Sequence, residues 1–548
     1  MTNRWIVLMV VLPMLTGALS VPIVRRLHLS RVIGMVGLSA TLATSVLLLW
    51  KTITATGPDG ELPGAMVSQM GQWAAPMGIT LVFDAFSGML LVAAAFVFLC
   101  GYLASFGELK PTLERRYFHP LLHFMHAGVN LSFLTGDLFN LFVAFEIMLM
   151  ASYGLVCLAA GRERLVHAYK YVVLNLLASA LFVTSAGLVY GMFGTLNLAH
   201  LMDIVNTKVS AGEPLPDAFV AVSVLLLTVF GLKAAVFPLF FWLPDAYPTL
   251  PTPLLAIFGG VLTKVGIYVL ARTFPPIFMV GEAGEVAGPM LLFAAVGTML
   301  LAGAMAVAYR KLRGGLCMMV VVGVGFSIAG VAVGGDVGLS GVAFYASQSM
   351  IAAALAFVLC GKLEAHTGGD DLDGPNYGGL WREVPWLAVF GFVALLTLVG
   401  LPPLSGFYGK LWIIQAAFGG DTASSPNAWV AFAALLTGAI TLLAVLRWWS
   451  SAFWLGAEHG RTSRDDVQTG SRCLSASLGL LLAASLALGL FAQPALSVAK
   501  VAGDRLASPD GYIQAVLDPI DLETPKLVSA KPYGDTKQTT QPKPEAHH

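Results

Sequence analysis

Phe142-Val-Ala-Phe-Glu146-Ile-Met-Leu-Met150 sets one carboxylate in the middle of an apolar run that extends from Leu138 to Ala159. A helix of about twenty apolar residues, with every backbone group bonded internally, spans a bilayer core of about 30 Å. The run has that length. An ionised side chain at the centre of such a helix costs at least about 2.5–3.5 kcal/mol on insertion scales, so each one is a functional hypothesis by default. This stretch reads as a membrane helix that carries chemistry.

Outward from it, similar runs lie near 4–24, 32–50, 84–104, 117–135, 165–193, 217–242, 252–274, 287–309, 314–334, 337–361, 384–418, 428–455 and 473–496. With 138–159 they predict an all-α integral membrane protein of about fourteen transmembrane helices. The composition agrees: 57% of the 548 residues are hydrophobic, 11% are charged, and mean hydropathy is +0.78. A soluble chain carries about 25% charged residues, so the solvent here is largely membrane lipid. Acidic and basic residues balance at 31 each. No basic footprint exists to release counterions, which excludes a nucleic-acid partner. Cys100, Cys157, Cys317, Cys360 and Cys473 are scattered, so a thiolate-held metal or cluster is not expected, nor is any cofactor. P-loop, G-x-S-x-G and complete G-x-G-x-x-G motifs are absent, which leaves a nucleotide or hydrolase role without support.

The first run, Trp5 to Val24, lacks a positively charged leader beyond Arg4 and reads as an uncleaved first helix. Between helices 2 and 3, Gly57 to Phe83 reads as an extramembrane loop with room for a hairpin. Lys and Arg cluster in alternate loops: Arg25, Arg26 and Arg31; Lys110, Arg115 and Arg116; Arg162 and Arg164; Arg310, Lys311 and Arg313; Lys362 and Arg382; Arg461, Arg464 and Arg472. The positive-inside rule places those loops in the cytoplasm and both termini outside, on the periplasmic face of a cell (inner) membrane. Ser508-Pro509-Asp510 reads as a helix start leading into a short Tyr512–Leu517 helix, and the Pro- and Lys-rich tail beyond it reads as disordered.

Four ionisable residues stand in mid-membrane: Glu146, Lys233 in Val229-Phe-Gly-Leu-Lys233-Ala-Ala-Val-Phe-Pro238, Lys264 in Leu262-Thr-Lys264-Val-Gly-Ile-Tyr268, and Lys410 in Pro402-Pro403-Leu-Ser-Gly-Phe-Tyr-Gly-Lys410. A plain ion pair of Glu146 with one lysine accounts for two of them and leaves a surplus of amines. A buried lysine loses solvation and a nearby carboxylate restores its charge, so moving that carboxylate switches the amine between loading and releasing a proton. Pro238 and Pro402-Pro403 break helices 7 and 12, five helices apart and each with one lysine. That pattern suggests an internal repeat with one site per half. The predicted organisation is helices 1–3 with the external loop (1–116), two inverted five-helix repeats (117–274 and 287–455) with discontinuous helices 7 and 12, and a last helix with an external tail (473–548).

Phe133-Leu-Thr-Gly-Asp137-Leu-Phe-Asn140-Leu-Phe-Val-Ala-Phe-Glu146, Tyr171-Val-Val-Leu-Asn175, Tyr190-Gly-Met-Phe-Gly-Thr195-Leu-Asn197, Phe241-Trp-Leu-Pro244 and Gly400-Leu-Pro-Pro-Leu-Ser-Gly406-Phe-Tyr-Gly-Lys410 together resemble the D-type subunits of the multisubunit Mrp (Pha) cation/proton antiporter. The likeness runs from about residue 84 to residue 417. The Glu–Lys–Lys–Lys set is similar to that of antiporter-like subunits of respiratory complex I and membrane-bound hydrogenases. The resemblance implies that Glu146 modulates Lys233, that Lys264 relays, and that Lys410 is the proton site of helix 12. It also implies partners: the other Mrp subunits in a hetero-oligomer, protons, and Na⁺ or K⁺. The chain departs from the family at Phe240, Met319, Val322, Gln348 and Ala353, where relatives often carry His, Ser or Lys. Between Lys264 and Lys410 the expected polar cluster is Ser347, Gln348 and Ser349, which can anchor a water chain ending at Lys410. Asp137, Pro238, Pro402 and Pro403 are the other supporting residues.

His119, His123 and His126 share one face of helix 4. The plainest reading is interfacial histidines bonded to loops or headgroups, ahead of proton uptake from the cytoplasmic side, with a metal last; no metal site is expected. The function expected is proton-for-cation exchange by a secondary transporter subunit, not an enzyme. Its rivals are a proton-pumping subunit of an NADH-quinone oxidoreductase or hydrogenase complex, and a non-transporting scaffold.

Overall fold

The computed structural model describes residues 4–54, 65–159, 165–373, 377–419, 427–454 and 471–517. Every predicted segment contains a helix. We number these helix 1 (Leu8–Ser20), 2 (Leu27–Thr54), 3 (Ala85–Glu108), 4 (His119–Leu134), 5 (Leu138–Ala159), 6 (Leu165–Phe193), 7 (starting as Phe219–Ala234), 8 (Thr252–Phe278), 9 (Gly281–Ala308), 10 (Leu312–Val333), 11 (Gly335–Thr367), 12 (starting as Pro385–Val399), 13 (Ala428–Trp454) and 14 (Arg472–Leu490). Among the described residues, ten helices are long and apolar enough to cross a membrane.

Helices 8 and 11 are buried along their whole apolar windows, whereas helices 2, 6, 9, 13 and 14 are less than half buried. The outer helices turn Val36, Leu47, Leu177, Phe293 and Leu443 away from the protein. Apolar side chains facing outward lose nothing in lipid, so half-buried outer helices enclose a centre formed by helices 8 and 11. Lys264 sits in that centre, 1% exposed.

Two breaks interrupt the helices where the prolines predict them. Helix 7 stops at Ala234, passes Ala235 in a left-handed conformation (φ 63°), and resumes as a short turn over Trp242–Ala246. Helix 12 stops at Val399, passes Gly400 (φ 84°), and resumes over Gly406–Phe418. A Cβ on Gly400 would lie 2.8 Å from the Gly406 carbonyl oxygen and 3.0 Å from Lys410 Cδ, so only glycine fits there.

Loop contacts sort the molecule into two ends. At one, Arg31 bonds Glu114 (2.6 Å), Arg313 bonds Glu364 (2.6 Å), and Lys362 donates to Ser475 (2.9 Å). At the other, the hairpin of β1 (Met66–Gln69) and β2 (Thr80–Phe83), paired Met66 to Phe83, meets the turn between helices 4 and 5 through Gly136 N–H and Thr80 O (2.8 Å). Arg272, at the end of helix 8, pairs with the buried Asp84 there (2.7 Å). Burial would raise the Asp84 carboxyl, and the guanidinium more than reverses this, holding it below the usual range.

One expectation about extent is corrected, and one helix is new. The run predicted to 496 ends at Leu490, and a separate amphipathic helix, Gln493–Ala507, packs on helices 3 and 11. An amphipathic helix over Leu198–Ser210, too polar to register as a membrane segment, joins helices 6 and 7 and buries Leu198, Leu201, Met202 and Val205. The expected C-terminal helix is present as Asp510–Leu517. The tail after it, the loop arginines 162, 164, 461 and 464, and residues 57–64 of the external loop lie outside the described residues.

Candidate proton-translocation site

Lys233 is the penultimate residue of the first part of helix 7 and is 6% exposed. Helix 7 approaches helix 8 closely because Gly266 presents no side chain: a Cβ there would lie 2.8 Å from the Ala234 nitrogen. Lys233 Nζ donates to Ser179 Oγ of helix 6 (3.1 Å) and stands 5.2 Å from the centre of the Phe145 ring. It does not bond to Glu146, the next residue along helix 5. Glu146 is half-buried, and its Oε1 is buried without a hydrogen-bond partner. The plain interhelical ion pair is therefore not the arrangement adopted. The backbone groups freed by the break are satisfied locally: Trp242 Nε1 donates to Leu232 O (3.1 Å), and Phe237 N–H donates to Thr298 Oγ1 (2.8 Å). A cavity of about 10 Å³ touches Lys233, Tyr171, Asn175, Tyr247 and Gly266. That is the room one water needs, and the polar groups that would hold it are present.

Lys264 follows a π-turn over Phe258–Leu262 and makes one long contact, from Nζ to Gly259 O (3.4 Å). A second cavity of about 10 Å³ touches Lys264, Tyr345, Gln348, Ser349 and Leu398. Beyond it stands Lys410, in the resumed part of helix 12 and 5% exposed. Its Nζ donates to Val399 O (2.7 Å) and Leu398 O (3.1 Å), the last carbonyls of the first part of the same helix. The Phe326 ring lies 4.4 Å away and Tyr345 5.8 Å away. Leu398 thus links the second cavity to Lys410: the cavity touches that residue, and its carbonyl holds the amine.

The supporting residues divide. Gln348 accepts from Ser405 Oγ (3.3 Å) and lines the second cavity with Ser349. Ser347 does not: its hydroxyl bonds Ala343 O (2.8 Å), and it faces a large apolar groove between helices 2, 3, 11 and 14. Adjacent helical residues point about 100° apart, so a triplet cannot line one cavity. Asp137 caps helix 5, accepting from Phe139 and Asn140 N–H, and lies nine residues, roughly 13 Å of helix, from Glu146. Pro238, Pro402 and Pro403 lie in the two breaks. The three histidines are wholly buried rather than interfacial: His119 contacts Tyr102 and Glu114, and His123 and His126 have no hydrogen-bond partner on either ring nitrogen.

Residues 135–441 match the family model described as NADH:quinone oxidoreductase/Mrp antiporter, TM. Over 94% of this chain and 99% of the relative, 34% of residues are identical to the Na⁺/H⁺ antiporter D subunit of Alkalihalophilus pseudofirmus. The chain belongs to the family of antiporter D subunits. A probable K⁺/H⁺ antiporter D subunit of Rhizobium meliloti is also 34% identical, over 94% of this chain and 98% of that one. The fold matches a chain of the Mrp complex from Dietzia sp. with a TM-score of 0.82 at 28% identity, covering 94% of this chain and all of that one. Membership in this family makes the chain a transporter-type membrane subunit.

The antiporter motifs in the sequence lead to the four ionisable residues but not to all that surrounds them. Ser179, Tyr345 and the carbonyls of Leu398 and Val399 were missed. Tyr345 had a signal: it precedes Gln348 by three residues on one helical face, a second polar tip in an apolar helix. Ser179 is an ordinary small residue of a membrane helix, and backbone carbonyls carry no residue signature.

Proposed function

We propose that this chain is the subunit of a hetero-oligomeric secondary antiporter that moves protons along Glu146, Lys233, Lys264 and Lys410 in exchange for Na⁺ or K⁺. Three deeply buried lysines without a carboxylate bond carry this reading, with a water-sized cavity against Lys233 and another against Lys264. An amine held by one hydroxyl or by carbonyls can give up its proton without leaving a carboxylate stranded, and one water on each side supplies the next acceptor. Glu146, with a bare oxygen near Lys233, is the movable charge that loads that lysine. The inverted repeats give each half one lysine beside a helix break. The arginine-rich end faces the cytoplasm of the cell membrane, with both termini outside. The other Mrp subunits complete the exchanger, and the 34% identity to antiporter D subunits over 94% of the chain supports this reading over a respiratory pump.

Cation-dependent proton flux in inverted vesicles containing the whole complex tests it. Lys233→Ala and Glu146→Gln are each expected to bring flux to background while the complex assembles, because either change leaves the remaining group without its control. Normal flux from an assembled Lys233→Ala complex ends the proposal.

A further inference from the structure

One buried polar column stands apart from the lysines. Glu114, in the turn that leads into helix 4, has no exposed side chain and accepts a two-point contact from Arg31 of helix 2 (2.6 and 2.9 Å), itself 27% exposed. Burial would raise the Glu114 carboxyl, and the contacts with His119 and Arg31 hold it below the usual range instead. His119 presents Nε2 to Glu114 at 3.5 Å and Nδ1 to the Tyr102 hydroxyl at 2.8 Å; that hydroxyl also reaches Ser30 O at 3.1 Å. One turn deeper, the His123 ring lies 5.5 Å from the Tyr102 ring, and the His126 ring stacks on Phe98 at 4.3 Å. Both rings are wholly buried and all four of their nitrogens lack partners. Each such buried polar group costs about 1–3 kcal/mol, and a phenyl ring would fill the same space at none of that cost. Next on that face is Asn130, which donates to Met9 O (2.8 Å) and leaves its Oδ1 bare.

The column ends at the depth of the lysine chain. Helices 4 and 5 are antiparallel neighbours, and a Cβ on Gly128 would lie 2.8 Å from Met148 Cα, which sets Asn130 level with Glu146. Helix 4 meets helix 8 where Phe133 packs edge-on against Tyr268 (5.3 Å). Both helices start from the arginine-rich end, so one turn back Lys264 stands level with Val129 and Asn130.

We propose that Glu114, His119, Tyr102, His123 and His126 form a proton port between the arginine-rich face and the level of Glu146 and Lys264. The port rests on the proposed lysine route, which it would serve. An imidazole accepts a proton at one nitrogen and releases one from the other, so it passes a proton with no net change. Glu114 takes or returns a proton at the face beside Arg31. His119 exchanges it through Nε2 and passes one from Nδ1 to the Tyr102 oxygen as the Tyr102 hydroxyl proton moves on. The Tyr102 hydroxyl proton passes to a ring nitrogen of His123 once that ring turns or a water enters between them, since no direct hydrogen bond joins the two here; His126 is the next acceptor, and Tyr102 resets by rotation of its hydroxyl. Of the elements packed against helix 4, helix 1 brings no ionisable group. Helix 2 carries His28, Arg31 and Lys51, helix 3 Cys100, Tyr102 and Glu108, helix 5 Glu146, Tyr153 and Cys157, helix 8 Lys264, Tyr268 and Arg272, and the turn before helix 4 Glu114, Arg115, Arg116 and Tyr117.

The test uses the whole complex in inverted vesicles, with His123→Phe and His126→Phe beside Lys233→Ala. The port predicts an assembled complex whose cation-dependent proton flux falls at least about tenfold. Near-parental flux from the histidine variants with a dead Lys233→Ala overturns the port and leaves the lysine route standing. Normal flux from Lys233→Ala fails the route itself. Where a phenylalanine variant does not assemble, His123→Gln and His126→Gln keep hydrogen bonding but hold no charge; the same loss supports the port, and a normal rate overturns it. Glu114→Gln gives a readout that packing would not move: the dependence of rate on pH at the arginine-rich side should shift. A profile superimposable on the parent's counts against the port.

Discussion

Lys233 and Lys410 both sit beside a broken helix, yet they are held in different ways. Lys233 stands one residue before the end of the part preceding its break and donates to one serine hydroxyl, with a carboxylate nearby but unbonded. Lys410 stands after its break and donates to two carbonyls of the preceding part. The carbonyl end of a helix carries roughly half a negative charge, fixed by the backbone. Bonds from a charged donor to such oxygens are roughly twice as strong as neutral ones. The charge on Lys410 thus faces dipoles fixed by the backbone, while Lys233 is held by one hydroxyl with the unbonded Glu146 side chain nearby. On the proposed route, Lys233 would be the site that is switched and Lys410 the site that holds.

That contrast breaks most easily at Lys410. Lys410→Ala should bring flux to background, a loss of at least about tenfold or about 1.4 kcal/mol on the barrier. Lys410→Arg sharpens the result. Arginine can keep a cation against the Leu398 and Val399 carbonyls but cannot release a proton at any working pH. An assembled yet inactive arginine variant identifies proton exchange as the role; a restored rate makes Lys410 a structural cation. A full-rate Lys410→Ala complex would mean that the first half conducts alone.

Gly400 tests whether the carbonyls must stay where they are. Its φ of 84° and the close Gly406 oxygen leave no room for a Cβ. Gly400→Ala should cost about 1–2 kcal/mol at the left-handed position and move the carbonyl pair that Lys410 grips, lowering flux roughly fivefold. Ala235, left-handed at the matching break, already carries a Cβ, so Ala235→Gly should leave flux near the parental rate. Equal effects at the two positions would erase the distinction between the halves. Flux assays alongside assembly on native gels measure both.

Much of this was legible in the sequence, and the reason is physical. A charge in an apolar run is expensive, so Glu146, Lys233, Lys264 and Lys410 stand out from residue type alone. Length and hydropathy mark the segments, and prolines mark both breaks. The partners are harder to read. Lys410 is held by main-chain oxygens that any residue at 398 and 399 would supply. Leu198–Ser210 escapes because a helix lying along a surface is neither long nor apolar enough to register. Ser347 was misplaced because neighbours in sequence point to different sides of a helix. The sequence put three histidines on one face but could not show that the face is sealed from water.

The finest distinction concerns the cavity beside Lys264, on the way to Lys410. The cavity there touches Lys264, Tyr345, Gln348, Ser349 and Leu398, and it has room for one water. Ser349 already gives its hydroxyl hydrogen to Ala346 O (2.9 Å), and Gln348 Oε1 already accepts from Ser405, so the Gln348 amide hydrogens stand beside Lys264 Nζ and the Tyr345 hydroxyl as donors to the cavity. A buried water needs two to four polar partners, and removing one of several weakens its hold without abolishing it. Gln348→Leu should therefore lower flux only about threefold, well short of the Lys410→Ala effect. Glutamine does not titrate, so the pH optimum should stay where it is. Ser347→Ala is the control: its hydroxyl faces the apolar groove and bonds its own helix, and its loss should leave flux unchanged. A Gln348→Leu complex at full rate counts against a water held by Gln348 in the step from Lys264 to Lys410. A shifted pH optimum would instead mean that the substitution reached Lys264 or Lys410 directly, and that the cavity is part of an amine site rather than a bridge.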